Sequence, residues 1–288
     1  MSKTIETKKK RLSRSLGGDI FVLISLVIFG CFIALPFYFS IIQSLKPMDE
    51  LFVFPPRLYV QRPTIDNFYI LSQLTGSLWV PFSRYLFNSL FITIVGTAGH
   101  VVIASMAGFI LAKYVLPGSK ALFSLVVVSL LFTYEVTFLP SYVIMAKIGL
   151  LNTMGALILP ALSAPLGLFL MKQFMEVVPD AMIEAAKVDG ASTFTTYLKV
   201  VMPQVKPAWL TLIIFSFQAL WNRQGLEFIY NEELKTLPTI LMQITASGIA
   251  RAGAAAAVGV VLMIPPVIIF VLSQSNIIET MSHSGIKG

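Results

Sequence analysis

The sequence predicts an all-α membrane protein with six transmembrane helices. Composition carries the first part of that prediction: 56% of the 288 residues are hydrophobic and only 12% are charged, with a mean hydropathy of +0.82. A soluble domain carries about 25% charged residues. Patterning carries the second part. The apolar residues come in blocks of roughly 20, long enough to cross about 30 Å of hydrocarbon. Placement of charge carries the third. Lys3, Lys8, Lys9, Lys10, Arg11 and Arg14 precede the first block, and the positive-inside rule sets such a cluster in the cytoplasm.

Residues 1–19 therefore read as a basic cytoplasmic arm. The run abuts an apolar span, which argues against nucleic acid as its partner. The first span is Ile20–Ile42, with a kink expected at Pro36. It is longer than the apolar part of a secretory signal, and no small-residue cleavage site follows it. The single Cys31 lies inside it and reads as a small apolar filler. An outer loop from Ser44 to Arg84 follows, rich in proline (Pro47, Pro55, Pro56, Pro63, Pro81), so extended and turn-rich backbone is expected. Thr64–Phe68 can start a short amphipathic helix there. The loop serves either as an external lid or docking surface, or as a spacer.

The remaining spans read as Tyr85–Ala112, Ala121–Leu139, Gly155–Met171, Ala208–Leu220 and Ala254–Leu272. Ser141–Asn152 reads as a short interfacial helix. Together 20–275 form one six-helix membrane domain, and 276–288 a cytoplasmic tail. With the N-terminus inside, six spans return the C-terminus to the same side. The lysines of the inner segments (Lys113, Lys120, Lys172, Lys187, Lys199, Lys206) agree, since the outer loops are longer and mix their cations with Asp49, Glu50, Asp66, Glu227, Glu232 and Glu233. Gly30, Gly96 and Gly108 lie within spans and read as packing positions.

The inner segment 180–207 is the most informative in the chain. Asp180 is suited to cap a helix, the residues to Asp189 favour helix, and Gly190 stops it. Ser192 caps a second helix running to Val201, and Pro203 ends the pattern. The product is helix, glycine elbow, helix. Ala185, Ala186, Gly190 and Ala191 place small side chains at the elbow, where a partner's backbone can come close. Glu184 and Lys187 are spaced to pair on one face. The competing reading is an amphipathic helix lying on the inner leaflet, but small residues bury little area in lipid.

Glu184-Ala185-Ala186, then Asp189-Gly190-Ala191, then Pro203 and Pro207, resembles the EAA signature of importer-type ABC permeases. Ser44-Leu45-Lys46-Pro47, Asn88-Ser89, Ala107-Gly108, Leu150-Leu151-Asn152-Thr153, Gln173-Phe174, Trp221-Asn222, Thr236-Leu237-Pro238 and the final Lys287-Gly288 resemble the carbohydrate branch, similar to the maltose-transporter permeases. Two positions depart from it: Arg223 stands where an acidic residue is common, and Thr280 where glycine is usual.

The resemblance implies the importer-type (MetI-like) permease fold in a bacterial cell membrane, with Glu184, Ala185, Ala186, Asp189, Gly190, Ala191 and Pro203 in a cytoplasmic coupling segment. It implies a second homologous permease subunit, two ATPase subunits that use ATP and Mg²⁺, an extracellular solute-binding protein and a carbohydrate substrate, expected to be an oligosaccharide. The permease itself would catalyse nothing and hold no cofactor. The chain has no GxxxxGK[ST] loop of its own. Its two histidines and one cysteine cannot build an ordinary zinc site.

Candidate pathway residues are few. His100 and Glu135 are ionisable groups at membrane depth, which either line a polar path or tie helices together. Tyr134, Phe217, Gln218, Trp221 and Asn222 offer the aromatic faces and amides that suit a sugar, or simply an interfacial belt. Arg84, Arg223 and Arg251 lie towards the outer mouth, as headgroup anchors or as contacts for an acidic sugar. A different class stays open at this point: a polytopic enzyme acting on lipid-linked sugars through Glu135 and His100, or the same kind of importer for another solute.

Overall fold

The computed structural model describes residues 16–246, 248 and 251–284, with side chains over 17–246, 248 and 251–274. The basic cluster Lys3–Arg14, the final Lys287-Gly288 and the side chains of Thr280 and His283 lie outside that description. Every regular element among the described residues is helical.

Besides a short 3₁₀ turn at Glu232–Leu234, these are in chain order α1 (Leu16–Ser44), α2 (Met48–Leu51), α3 (Asp66–Gly76), α4 (Phe82–Lys113), α5 (Ser119–Ser129), α6 (Tyr134–Lys147), α7 (Gly155–Leu162), α8 (Pro165–Glu176), α9 (Asp180–Val188), α10 (Thr193–Gln204), α11 (Lys206–Trp221), α12 (Leu237–Thr245) and α13 (Ala252–Ser284). By length and composition α1, α4, the α7–α8 stretch Gly155–Glu176 and α13 can each cross a membrane. Counting each of two bent pairs as one span brings the number to 6.

Those pairs correct the sequence reading. The third span is α5 and α6 meeting at 113°, not one rod over Ala121–Leu139. The N–H groups of Leu130, Leu131 and Phe132 fall back on the carbonyls of Val127, Val128 and Ser129, three residues behind, which tightens and ends α5. Thr133 is then extended, and its carbonyl opens α6. The expected interfacial helix Ser141–Asn152 is the second half of α6, which closes at Lys147. Its Met145 is buried and its Tyr142 packs near Phe228, so this face meets protein. The second pair is α10 and α11, bent by 83°. Pro203 does not end α10, which runs on to Gln204. Pro207 has no N–H to offer the carbonyl of Pro203, and the chain turns between them at Val205.

α4 is the central element, packed against α7, α8 and α11. Its first turns join a core with Phe217, Trp221, Leu237, Ile240 and Val258. Its last turns join another with Met171, Met175, Ile183, Tyr197 and Val201. Gly108 lets the backbones of α4 and α8 touch: a Cβ there would stand 2.9 Å from Met171 Cβ. Gly96 likewise meets Leu220, but Gly30 faces open space within this chain and is not a packing position in it. α1 is apolar and exposed over most of its length, as a surface for lipid or another subunit must be, and only its last turn is buried, at Ile42 and Ser44.

The proline-rich segment 44–84 is a folded block, tied together by buried polar side chains. Lys46 is buried, and its ammonium donates to the Arg57 carbonyl at 2.6 Å. Glu50, also buried, accepts from the N–H groups of Gln61 and Arg62 at 3.1 and 3.0 Å. The Asn67 amide donates to the carbonyls of Ser44 and Lys46 at 2.9 and 2.8 Å. Its Oδ1 lies so close over Gly253 that a Cβ there would collide with it, which seats the block on the first turn of α13. Asn67→Ala orphans two carbonyls and is expected to cost about 1–3 kcal/mol. The check is trypsin cleavage after Arg57 in folded protein, which should accelerate.

Candidate functional site

The elbow is built by local chain grammar. α9 follows Pro179, and Asp180 occupies its first turn instead of capping it. The Asp180 carboxylate is drawn to Lys113, at 2.7 Å. At the other end the Gly190 N–H returns to the Lys187 carbonyl at 3.0 Å, and the Ala191 N–H to the Ala186 carbonyl at 2.9 Å. This pair of bonds needs a left-handed residue between them, and Gly190 has φ +79°. Ser192 then caps α10 as expected, its hydroxyl accepting from the Thr195 N–H at 3.2 Å. One wide turn, Tyr197–Val201, follows.

The elbow has two faces. Ile183, Tyr197 and Val201 are buried against the end of α4. Glu184, Ala185, Asp189, Gly190 and Pro203 are exposed, and Ala186 and Ala191 are half-buried. Val188 is 87% exposed and Phe194 60% exposed, both apolar. The expected Glu184–Lys187 pair is not formed: the Lys187 ammonium lies 5.6 Å from the centre of the Tyr114 ring. An exposed patch that joins small and apolar residues with two acids, on a rigid bend, is suited to a protein partner.

Beside the middle of α4 lies a cavity of about 390 Å³, lined in part by His100, Tyr134, Thr137, Ser163, Ser216 and Arg223. A neighbouring hollow of about 460 Å³ shares Tyr134 and Arg223 and adds Asn222, Gln224 and Glu227. Arg223 is the hinge of both. Its guanidinium sits 4.8 Å from the Tyr134 ring centre and 5.5 Å from that of Phe228, donates to the Tyr134 hydroxyl at 3.2 Å, and lies 3.8 Å from Glu227. The Tyr134 hydroxyl donates in turn to Glu227. Arg223 thus forms part of a cavity wall, where sequence alone allowed a headgroup anchor.

His100 lines the cavity and also ties helices. Its Nε2 reaches the Ala164 carbonyl at 3.0 Å and its Nδ1 meets the Ser216 hydroxyl at 2.7 Å. The carbonyl can only accept, so Nε2 carries the proton and Ser216 donates to Nδ1. Gly167 makes room for the ring, since a Cβ there would stand 2.3 Å from Nε2.

The other candidates separate. Asn222 and Gln218 are exposed, and with Phe217 they border a third hollow between α1, α11 and α13. Trp221 is 1% exposed, stacks on Phe217 at 6.2 Å, and donates from Nε1 to the Leu262 carbonyl at 2.9 Å. It is a core residue and lines none of these hollows. Glu135 is exposed in the first turn of α6 and lines none of them either. The pairing of Glu135 with His100 that an enzyme would need is therefore not built. Sequence reasoning missed α12, although Thr236-Leu237-Pro238 is a helix start with proline in its first turn. It also read Lys113 only as a loop charge.

Comparison with known proteins accords with this geometry. A family described as binding-protein-dependent transport system inner membrane component matches residues 20–283. The arabinooligosaccharides transport system permease protein AraQ of Halalkalibacterium halodurans is 29% identical, over 90% of this chain and 94% of its own. Protein LplC of Bacillus subtilis is 32% identical, over 75% of this chain and 72% of its own. Among solved structures, a bacterial ABC transporter involved in import of the acidic polysaccharide alginate shares the fold, with a TM-score of 0.73 at 18% identity, over 92% of this chain and 99% of its own.

Proposed function

This chain belongs to the family of binding-protein-dependent transport system inner membrane components, and from that premise we propose that it is the permease subunit of an ABC importer that moves a carbohydrate, an oligosaccharide, into a bacterial cell. The observation that carries the coupling half of this reading is the elbow: Glu184, Ala185, Asp189 and Gly190 stand exposed on a bend whose other face is buried against α4. A separate ATPase seats there, one copy for this chain and one for a second, homologous permease. The exposed apolar length of α1 and α13 leaves ample surface for that second subunit and for lipid.

ATP drives the cycle by favouring one conformation of the ATPase pair. Moving a two-state equilibrium from 1:99 to 99:1 takes about 5.5 kcal/mol of differential affinity. The elbows follow the ATPases, and the spans alternate the cavity between the two sides. An extracellular solute-binding protein delivers the sugar to the end that carries the folded outer loop, whose Phe54 and Trp79 are 92% and 93% exposed. The elbow and both termini face the cytoplasm, with 1–19 and 276–288 as the arm and tail. The carbohydrate assignment rests on the AraQ relative and on the aromatic and hydroxyl lining of the cavity around Tyr134, Thr137 and Ser163.

The test is uptake of labelled oligosaccharides, neutral and acidic, by proteoliposomes holding this chain, its second permease and the ATPase, with the binding protein added. Uptake that needs all four and follows ATP is expected. Uptake or sugar chemistry by this chain alone, without ATP, would contradict the reading.

A further inference from the structure

Resting on the ATPase-docking reading above, we propose that Lys113 is the positioning residue through which movement of the elbow enters α4 and reaches the cavity. Its side chain is only 4% exposed although it lies at the helix end. The ammonium has three donors and finds three acceptors: the Asp180 carboxylate at 2.7 Å, the Val178 carbonyl, and the Glu176 carbonyl at 3.4 Å. All three belong to the turn that carries α8 into α9. One cation thus bolts the end of the second span to the root of the elbow. A charge needed only to set topology would serve equally well in water.

The adjoining residues repeat the connection. Tyr114 receives Lys187 over its ring at 5.6 Å. Asp180, Ile183 and Lys187 follow one another at spacings of three and four, so they share a face of α9. That face is turned to α4, with Ile183 buried, and Glu184 and Val188 are left for the partner. The second limb of the elbow is tied as well, because Ser105 and Tyr197 share a hydrogen bond of 2.7 Å. α4 has no proline within it, so it can act as a rod. His100 lies on the same rod, about 20 Å from Lys113 at 1.5 Å per residue. There it holds Ser216 and Ala164 in the cavity wall. The elbow and the cavity therefore share one rigid element, and Lys113 is its buried ionic attachment.

The experiment uses the complete transporter in proteoliposomes and reads ATP hydrolysed per sugar moved, alongside ATPase attachment. Lys113→Met is expected to keep the ATPase bound and hydrolysing while that ratio rises about tenfold, within the range of ordinary allosteric coupling. Lys113→Arg should restore it. Asp180→Asn removes one acceptor from a carboxylate that is 76% exposed, and so spares the fold. It should raise the ratio about threefold, the scale of a partly exposed ion pair. A wild-type ratio in Lys113→Met, or Lys113→Arg failing as badly as Lys113→Met, overturns the proposal. If Lys113→Met does not assemble, Asp180→Asn decides: a raised ratio supports the proposal and a wild-type ratio overturns it. Failure of the unsubstituted chain to hold an ATPase is a different result, which removes the docking reading and this inference with it.

Discussion

Glu184→Arg combined with Gly190→Val is expected to abolish ATP-driven uptake, by about 100-fold or more, which corresponds to about 2.7 kcal/mol of lost coupling. Glu184 is exposed, and an exposed substitution normally shifts fold stability by about 0.5 kcal/mol or less. Gly190 has nothing within 4 Å of the position a Cβ would take, so the chain itself has room for a side chain. The price inside the chain is the left-handed backbone at φ +79°, about 1–2 kcal/mol for a residue with a Cβ. A docked partner meets both changes directly, as a reversed charge and as bulk where small residues let it approach. Like charges brought together at an interface cost several kcal/mol. Co-purification of the ATPase should fail in parallel with uptake. Gly190→Ala alone serves as the control for backbone strain and should leave most of the attachment intact.

The second large effect separates two neighbours that sequence alone treats as a pair. Trp221→Ala is expected to destabilise the protein by about 3–5 kcal/mol, the usual cost of deleting a buried aromatic side chain. It empties the space beside Phe217 and orphans the Leu262 carbonyl. Asn222→Ala should leave the thermal unfolding midpoint in detergent unchanged and alter sugar uptake instead, because Asn222 is exposed and borders the hollows. The midpoints and the uptake rates of the two variants are the check. A Trp221→Ala protein of normal stability that had lost only its response to sugar would reverse the assignment.

That contrast shows where sequence reading stops. Adjacent residues on a helix point about 100° apart, so Trp221 and Asn222 have different surroundings that their order cannot reveal. The elbow was legible because its signals are local: an Asp-led start, Gly190 where the chain must turn left-handed, and Ser192 as the next cap. Even there the partners of Asp180 and Lys187 were not, because both are supplied by the distant end of α4. The bend at Leu130–Thr133 was hidden by continuous apolar composition, which reads the same whether the chain runs straight or folds back. Helix α12 was missed because its nine residues are too short to register as a span, and its start signal lies among loop residues. Arg223 was legible as a departure from a family pattern, while its seat between Tyr134, Phe228 and Glu227 is a product of tertiary packing.

The central claim is that the elbow faces the cytoplasm and holds the ATPase. Val188 is 87% exposed on the elbow, and the chain's one cysteine, Cys31, lies in the first span. A Val188→Cys chain in a Cys31→Ser background can therefore be probed at a single thiol. The account predicts that a short bifunctional reagent joins this thiol to the ATPase, and that a membrane-impermeant maleimide leaves it unlabelled in intact cells. Labelling from outside the cell, or no cross-link in a transporter that still carries sugar, would contradict it.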